Sequence, residues 1–147
     1  MKTFKKEYVL LNSDIKTKEE AIAFIAREAN KLKISNDRIQ TESDLWEREK
    51  ECNTAIGDMI AIPHTKSSSI DFPVVLVIKP KDIIDWSGEN VNLIISFLSP
   101  KENTNNIHLT MLSKISRKLV NQEFKTTLSE SNDIDLIYEM IMGALNS

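Results

Sequence analysis

Two of the 147 residues are histidines, His64 and His108, and the setting of each suits the handling of a phosphoryl group. His64 ends the run Ile60-Ala61-Ile62-Pro63-His64, where an apolar, strand-like segment meets a proline. His108 opens an amphipathic helical pattern, His108-Leu109-x-x-Leu112, and Arg48 lies sixteen residues before His64 in Trp46-Glu47-Arg48-Glu49. An imidazole of pKa about 6.5 is mostly neutral at physiological pH, so a nucleophilic lone pair is available. A guanidinium offers a rigid fork of donors that matches phosphate oxygens. A second imidazole, held rigidly, could donate a hydrogen bond to a phosphate carried by its neighbour.

Each residue also has a plainer reading. A histidine after a strand is often a hydrogen-bonded surface residue. His108 shares a stripe with Leu112 and Ile115, as a satisfied half-buried core histidine would. Arg48 sits in Glu47-Arg48-Glu49-Lys50-Glu51, where i,i+3 and i,i+4 ion pairs on a solvated face are ordinary. Spacing alone leaves both readings open. Cys52 with His64 would make a nucleophile–base pair only by a geometry that nothing in the sequence supports; a helix-end or small core residue is the simpler assignment. Two histidines so far apart, with no Cys-x-x-Cys, are no zinc signature, so no metal is expected.

The elements that must carry these residues follow from periodicity. Tyr8-Val9-Leu10-Leu11 reads as a short strand. Thr17-x-x-Glu20 is a capping-box pattern, and Ile22, Ile25, Ala29 and Leu32 then mark one buried helical face. A second helix starts at Ser35 or Asn36 and runs through Leu45 toward Glu51. Gly57 breaks that pattern before a buried strand, Met59 to Ile62. Pro63 lacks an N–H and cannot extend a central ladder, so the chain is expected to leave the sheet there, with His64 at the rim. Strand ends in α/β folds are where sites are built. Phe72 to Ile78 and Asn90 to Leu98 read as strands, the second buried on both faces. Trp86 reads as a turn aromatic packed on the sheet, without a chemical role. Pro100 to Asn106 reads as a loop. A long helix then carries His108, Leu112, Ile115 and Leu119 on one stripe, and Asp133 starts a last helix through Ile137, Met140 and Ile141. The expected fold is an α/β three-layer sandwich with a mixed, mostly parallel central sheet flanked by helices.

Composition excludes several classes. A single cysteine precludes an internal disulfide and suits a reducing compartment. The net charge of −3 gives no general attraction to nucleic acid. The longest apolar runs are too short to span a bilayer, and no signal-peptide stretch follows the basic N-terminus, so a cytoplasmic protein without membrane insertion is expected. Three glycines form neither a dinucleotide fingerprint nor a P-loop, so no nucleotide cofactor is expected. Residues 1–147 read as one domain with no linker or repeat.

The run from Arg48-Glu49 through Thr54-x-Ile56-Gly57-x-x-Ile60-Ala61-Ile62-Pro63-His64, with His108-Leu109-x-x-Leu112 downstream, resembles the enzyme IIA components of the bacterial phosphoenolpyruvate-dependent sugar phosphotransferase system, fructose/mannitol class. The resemblance covers nearly the whole chain. It implies a central sheet of about five strands. It implies that His64 accepts a phosphoryl group from the phosphocarrier protein HPr and passes it to a cysteine of the IIB component of a sugar transporter. Arg48 and His108 would steady the phosphoryl group and the His64 ring, without metal or nucleotide. Two positions depart from the family: Ala55 and Met59 stand where glycines are usual. They are expected to restrict the loop or to bring a methionine to the docking surface. An alternative is a regulatory phospho-switch that resembles the nitrogen-type IIA proteins and binds targets according to the state of His64. The initial methionine and the lack of an appended regulatory domain favour a free-standing transport component.

Overall fold

Strands with no polar half require a sheet covered on both faces, and two such strands form its centre. In a computed structural model, which describes residues 3–102 and 106–147, these are β5 (Val74–Pro80) and β8 (Leu93–Pro100), buried along nearly their full lengths. They pair antiparallel, Val77 opposite Ile95. β1 (Val9–Ser13) runs parallel to β5 on its outer side. β3 (Ile60–Ala61) and β4 (His64–Ser67) both run parallel to β8, and β2 (Ala55–Gly57) closes the other edge antiparallel to β3. Among the described residues the sheet thus has six strands, five if β3 and β4 are taken as one interrupted strand.

Helices flank this sheet in pairs. α1 (Lys18–Lys31) packs on α2 (Arg38–Glu51), which lies against β4. α3 (Ile107–Lys118) packs on α5 (Ile134–Leu145), and these touch β8 and β1. The α/β sandwich expected from the sequence is present.

Local chemistry explains the helix starts. The Thr17 hydroxyl accepts the Glu20 N–H at 3.0 Å, but the Glu20 carboxylate accepts from Lys16 N–H at 2.9 Å, one residue outside the usual box. The second helix begins at Arg38, later than expected: the Asp37 carboxylate accepts the Gln40 N–H at 3.1 Å, while the Ser35 and Asn36 side chains bond to Thr41 and Asp71. Asp133 caps α5 as expected.

Several expectations need correction. The chain does not leave the sheet at Pro63. Proline lacks a donor but keeps its carbonyl, which accepts the Phe97 N–H at 3.1 Å, and His64 begins a new strand at once. Ala61 faces Ile94 and His64 faces Phe97, so register is preserved across the break. The strand expected from Asn90 to Leu98 is two elements. β7 (Glu89–Val91) pairs with β6 (Ile84–Trp86) in a separate hairpin, and β8 begins at Leu93. The Met59 carbonyl accepts both the Asn92 and Leu93 N–H groups, which turns the chain between them. A further helix, α4 (Gln122–Glu130), lies between the two expected at the C-terminal end. Tyr8 belongs to a 3-10 turn, Lys6–Tyr8, rather than to β1. Of the expected loop from Pro100 to Asn106, Pro100 ends β8, and Asn103 to Asn105 lie outside the described residues.

The N-terminal half of α2 is tied to the end of β4 by a buried chain of hydroxyls. Ser35 Oγ, Thr41 Oγ1, Ser69 Oγ and Ser67 Oγ are linked in sequence at 2.6 Å each, and Ser67 donates to Asp44 Oδ2 at 2.6 Å. Thr41 is at the centre of this chain and fully buried. Replacing it with the isosteric valine removes the partner that the Ser35 and Ser69 hydroxyls share and breaks the chain in the middle. We expect Thr41→Val to cost about 1–3 kcal/mol. Urea denaturation should show a lower midpoint with an unchanged slope.

Candidate functional site

The break at Ile62-Pro63 frees a carbonyl, and the His64 ring uses it. Nδ1 of His64 lies 2.8 Å from the Ile62 carbonyl oxygen. A carbonyl only accepts, so Nδ1 carries the hydrogen and the lone pair resides on Nε2. Arg48 Nε–H donates to that Nε2 at 3.1 Å, while Nη1 donates to the Cys52 carbonyl at 3.1 Å. Among the described residues Arg48 makes none of the ion pairs expected of a solvated face. It reaches the site because Thr41, Leu45 and Glu49 form the buried stripe of α2, and Arg48 flanks it half-buried. Cys52 is exposed at the helix end and enters through its backbone carbonyl.

His108 comes from the opposite helix pair. It is buried with Met111 and Ile115 on one face of α3. Its Nδ1 lies 2.7 Å from Ser99 Oγ near the end of β8. The two imidazoles stand 5.5 Å apart between centroids, tilted by 45°. The structure thus brings together all three residues singled out in the sequence.

Burial lowers the basicity of both rings. For His64 desolvation is the largest cause, and the Arg48 charge adds to it; the bond to Ile62 and the charges of Glu49 and Glu51 oppose it. His108 is pushed down to about 4, by desolvation first and then by His64 and Lys66. Both rings are therefore neutral at physiological pH. A neutral, oriented nitrogen beside a guanidinium is an arrangement for accepting an anionic electrophile. Asp44, Glu47, Glu51, Lys66 and Leu112 line the cleft around the three.

Sequence reasoning missed four residues here. Ser99 was hidden in a strand read for its apolar content. Lys66 shares a face with His64 by the two-residue period of β4, a strand that was not expected. Asp44 was read only as part of a helix. Glu49 was read with Arg48 as solvent-facing, yet its side chain is 2% exposed and pairs with Lys18 Nζ at 2.8 Å. Trp86 is fully buried in the hairpin, with the Lys18 ammonium 5.5 Å from its ring centre.

Of the two departures at the loop, Ala55 opens β2 without a positive φ, and Met59 is the one that takes a conformation suited to glycine. Gly57, Asp58 and Met59 are left-handed in succession, with φ of 88°, 53° and 67°. Met59 adopts the conformation that glycine would take freely, at about 1–2 kcal/mol. Its surroundings are Asn92, Gln122 and Lys125, not the cleft around His64.

The family model described as "Phosphoenolpyruvate-dependent sugar phosphotransferase system, EIIA 2" matches residues 2–143. The chain is 32% identical over 139 residues to the PTS system fructose-specific EIIABC component of Bacillus subtilis, spanning 92% of this chain and 22% of that one. It is 31% identical to the nitrogen regulatory protein of Bradyrhizobium diazoefficiens over 138 residues, spanning 92% and 89%. Among solved structures, the nitrogen regulatory protein IIA-Ntr of Neisseria meningitidis has the same fold. Its TM-score is 0.85 at 20% identity, covering 95% of this chain and 96% of that one. With the family model matched across almost its whole length, the chain belongs to the EIIA type 2 family of the phosphoenolpyruvate-dependent sugar phosphotransferase system.

Proposed function

We propose that the protein is a phosphocarrier that accepts a phosphoryl group from phospho-HPr on His64 Nε2 and passes it to a cysteine of a IIB component during sugar uptake. The observation that carries this is the state of the His64 ring. Nδ1–H is committed to a carbonyl, and the lone pair of Nε2 faces a guanidinium. In the first transfer the Nε2 lone pair forms the N–P bond. The donor's P–N bond breaks, and its electron pair returns to the donor imidazole. In the second, the IIB thiolate attacks phosphorus and the pair returns to Nε2. Such transfers pass through a loose transition state that needs positioning and neutralisation rather than covalent help.

Arg48 gives up its bond to Nε2 as the phosphoryl arrives and donates to a phosphoryl oxygen instead. His108, neutral, has one N–H. With Ser99 donating to Nδ1, that hydrogen sits on Nε2 and serves the same phosphoryl group. The Bacillus relative bears the name EIIABC, in which a IIA part is joined to IIB and IIC parts, which supports a IIB component as acceptor. No helix among the described residues is long and apolar enough to cross a membrane, and a cytoplasmic location suits exchange with HPr.

The match to a nitrogen regulatory protein along most of both chains favours one second reading, a phospho-switch that docks on targets according to the charge on His64. Rapid, reversible exchange with both HPr and a IIB domain marks the carrier. Slow turnover with target binding that changes on phosphorylation marks the switch.

Intact mass after incubation with phosphoenolpyruvate, enzyme I and HPr should rise by one acid-labile phosphoryl group, and His64→Ala should show no rise. An equal rise in His64→Ala would overturn the assignment. Arg48→Ala should slow transfer about 10²-fold and leave unfolding within about 1 kcal/mol of the parent. His108→Ala should still accept phosphate, more slowly. An NMR titration should place the His64 midpoint below the ordinary imidazole value, since desolvation and Arg48 both disfavour the cation. The ring therefore stays neutral, and competent, to a lower pH than an ordinary imidazole would. Arg48→Ala should move that midpoint up.

A further inference from the structure

A buried ion pair lies behind the site, and its hydrogen bonds lead to the reacting ring. Lys18 Nζ and Glu49 Oε2 are 2.8 Å apart, with side chains 9% and 2% exposed. Lys18 also donates to Ser87 Oγ at 2.9 Å and lies near the rings of Trp46 and Trp86. Desolvating two charges is costly, and apolar residues of similar volume often serve stability as well or better. The reason for an ion pair here lies in what the carboxylate does next. Glu49 Oε1 accepts the Thr54 hydroxyl, and Oε2 accepts the Thr54 N–H at 3.4 Å. The Thr54 carbonyl accepts the Ile62 N–H at 3.0 Å. The Ile62 carbonyl accepts His64 Nδ1–H at 2.8 Å.

Glu49 also follows Arg48 in α2. One turn of that helix therefore governs both ring nitrogens, Nε2 directly through Arg48 and Nδ1 through Glu49, Thr54 and Ile62. A shift of the Ile62 carbonyl would release Nδ1–H and allow the other tautomer, which has a hydrogen where phosphorus must bond.

We propose that Glu49 is a positioning residue for phosphoryl transfer, fixing the His64 tautomer and ring angle through Thr54 and the Ile62 carbonyl, with Lys18 as its counter-charge. This rests on His64 being the acceptor. A single Glu49 substitution would bury an unpaired ammonium, so the test uses the neutral double variant Lys18→Met/Glu49→Leu, with Thr54→Val beside it. Thr54→Val keeps the ion pair and removes only the hydroxyl. Two quantities are read: the His64 tautomer of the unphosphorylated protein, from long-range 15N–1H imidazole spectra, and the rate of phosphoryl acceptance from phospho-HPr.

The double variant is expected to stay folded by its amide spectrum, to lose the dominance of the Nδ1–H tautomer, and to accept phosphate at least tenfold more slowly. Thr54→Val should shift both in the same direction by less. A folded double variant with the parent tautomer and parent rate would overturn the proposal, since a purely structural ion pair predicts that result. The tautomer readout needs no phosphate. Labelling of a His64→Ala control would thus overturn the acceptor assignment, and the transfer role with it, while the spectra still report whether Glu49 sets the ring.

Discussion

Pro63 has no N–H to give, and the site is organised around that omission. An unbroken strand would have turned the Ile62 carbonyl into a ladder. The interruption leaves it free to face the ring two residues on, at 2.8 Å. Register with β8 is the same before and after the break, so His64 is carried by the central sheet rather than by a loose loop. The result is a reactive side chain with the precision of a strand and the accessibility of a strand end. The proposed transfer, in which the ring must meet phosphorus in line, needs both.

The electrostatics follow from where the helices sit. α2 and α3 come from different helix pairs, and each lays one buried stripe toward the sheet, so Arg48 and His108 converge on the ring from two sides. Burial favours the uncharged form of both imidazoles, and among the described residues the strong positive charge touching the His64 ring belongs to Arg48. The positive field thus comes from a guanidinium, which stays charged at any physiological pH. It does not come from a histidine whose charge would vary.

The existence of the central strands, the helix faces of α1, α3 and α5, and the three residues Arg48, His64 and His108 were legible in the sequence. Each is a matter of apolar period or of a distinctive residue in a distinctive setting. What was not legible had polar content in a role that period cannot show. β4, His64-Thr65-Lys66-Ser67, has no apolar residue, and its pairing is imposed by β8. The β6–β7 hairpin is three residues a side and turns through Ser87 and Gly88 at positive φ. Glu49 stands among charges that do face solvent, and only tertiary packing distinguishes it from Glu47 and Glu51. Ser99 gains its meaning from a helix that arrives later in the chain.

The contact between Arg48 and Nε2 also bears on what else can reach the ring. An uncharged imidazole with a free lone pair is also a good ligand for soft divalent cations. Here the lone pair is already occupied by an N–H, and a metal ion approaching it meets a fixed positive charge 3.1 Å from the nitrogen. In the proposed transfer a phosphoryl group, being anionic, would be drawn by the same charge and would displace the donor without losing it. The guanidinium would then act as a filter on the sign of what reaches the ring, favouring the anion over the cation that would otherwise silence it.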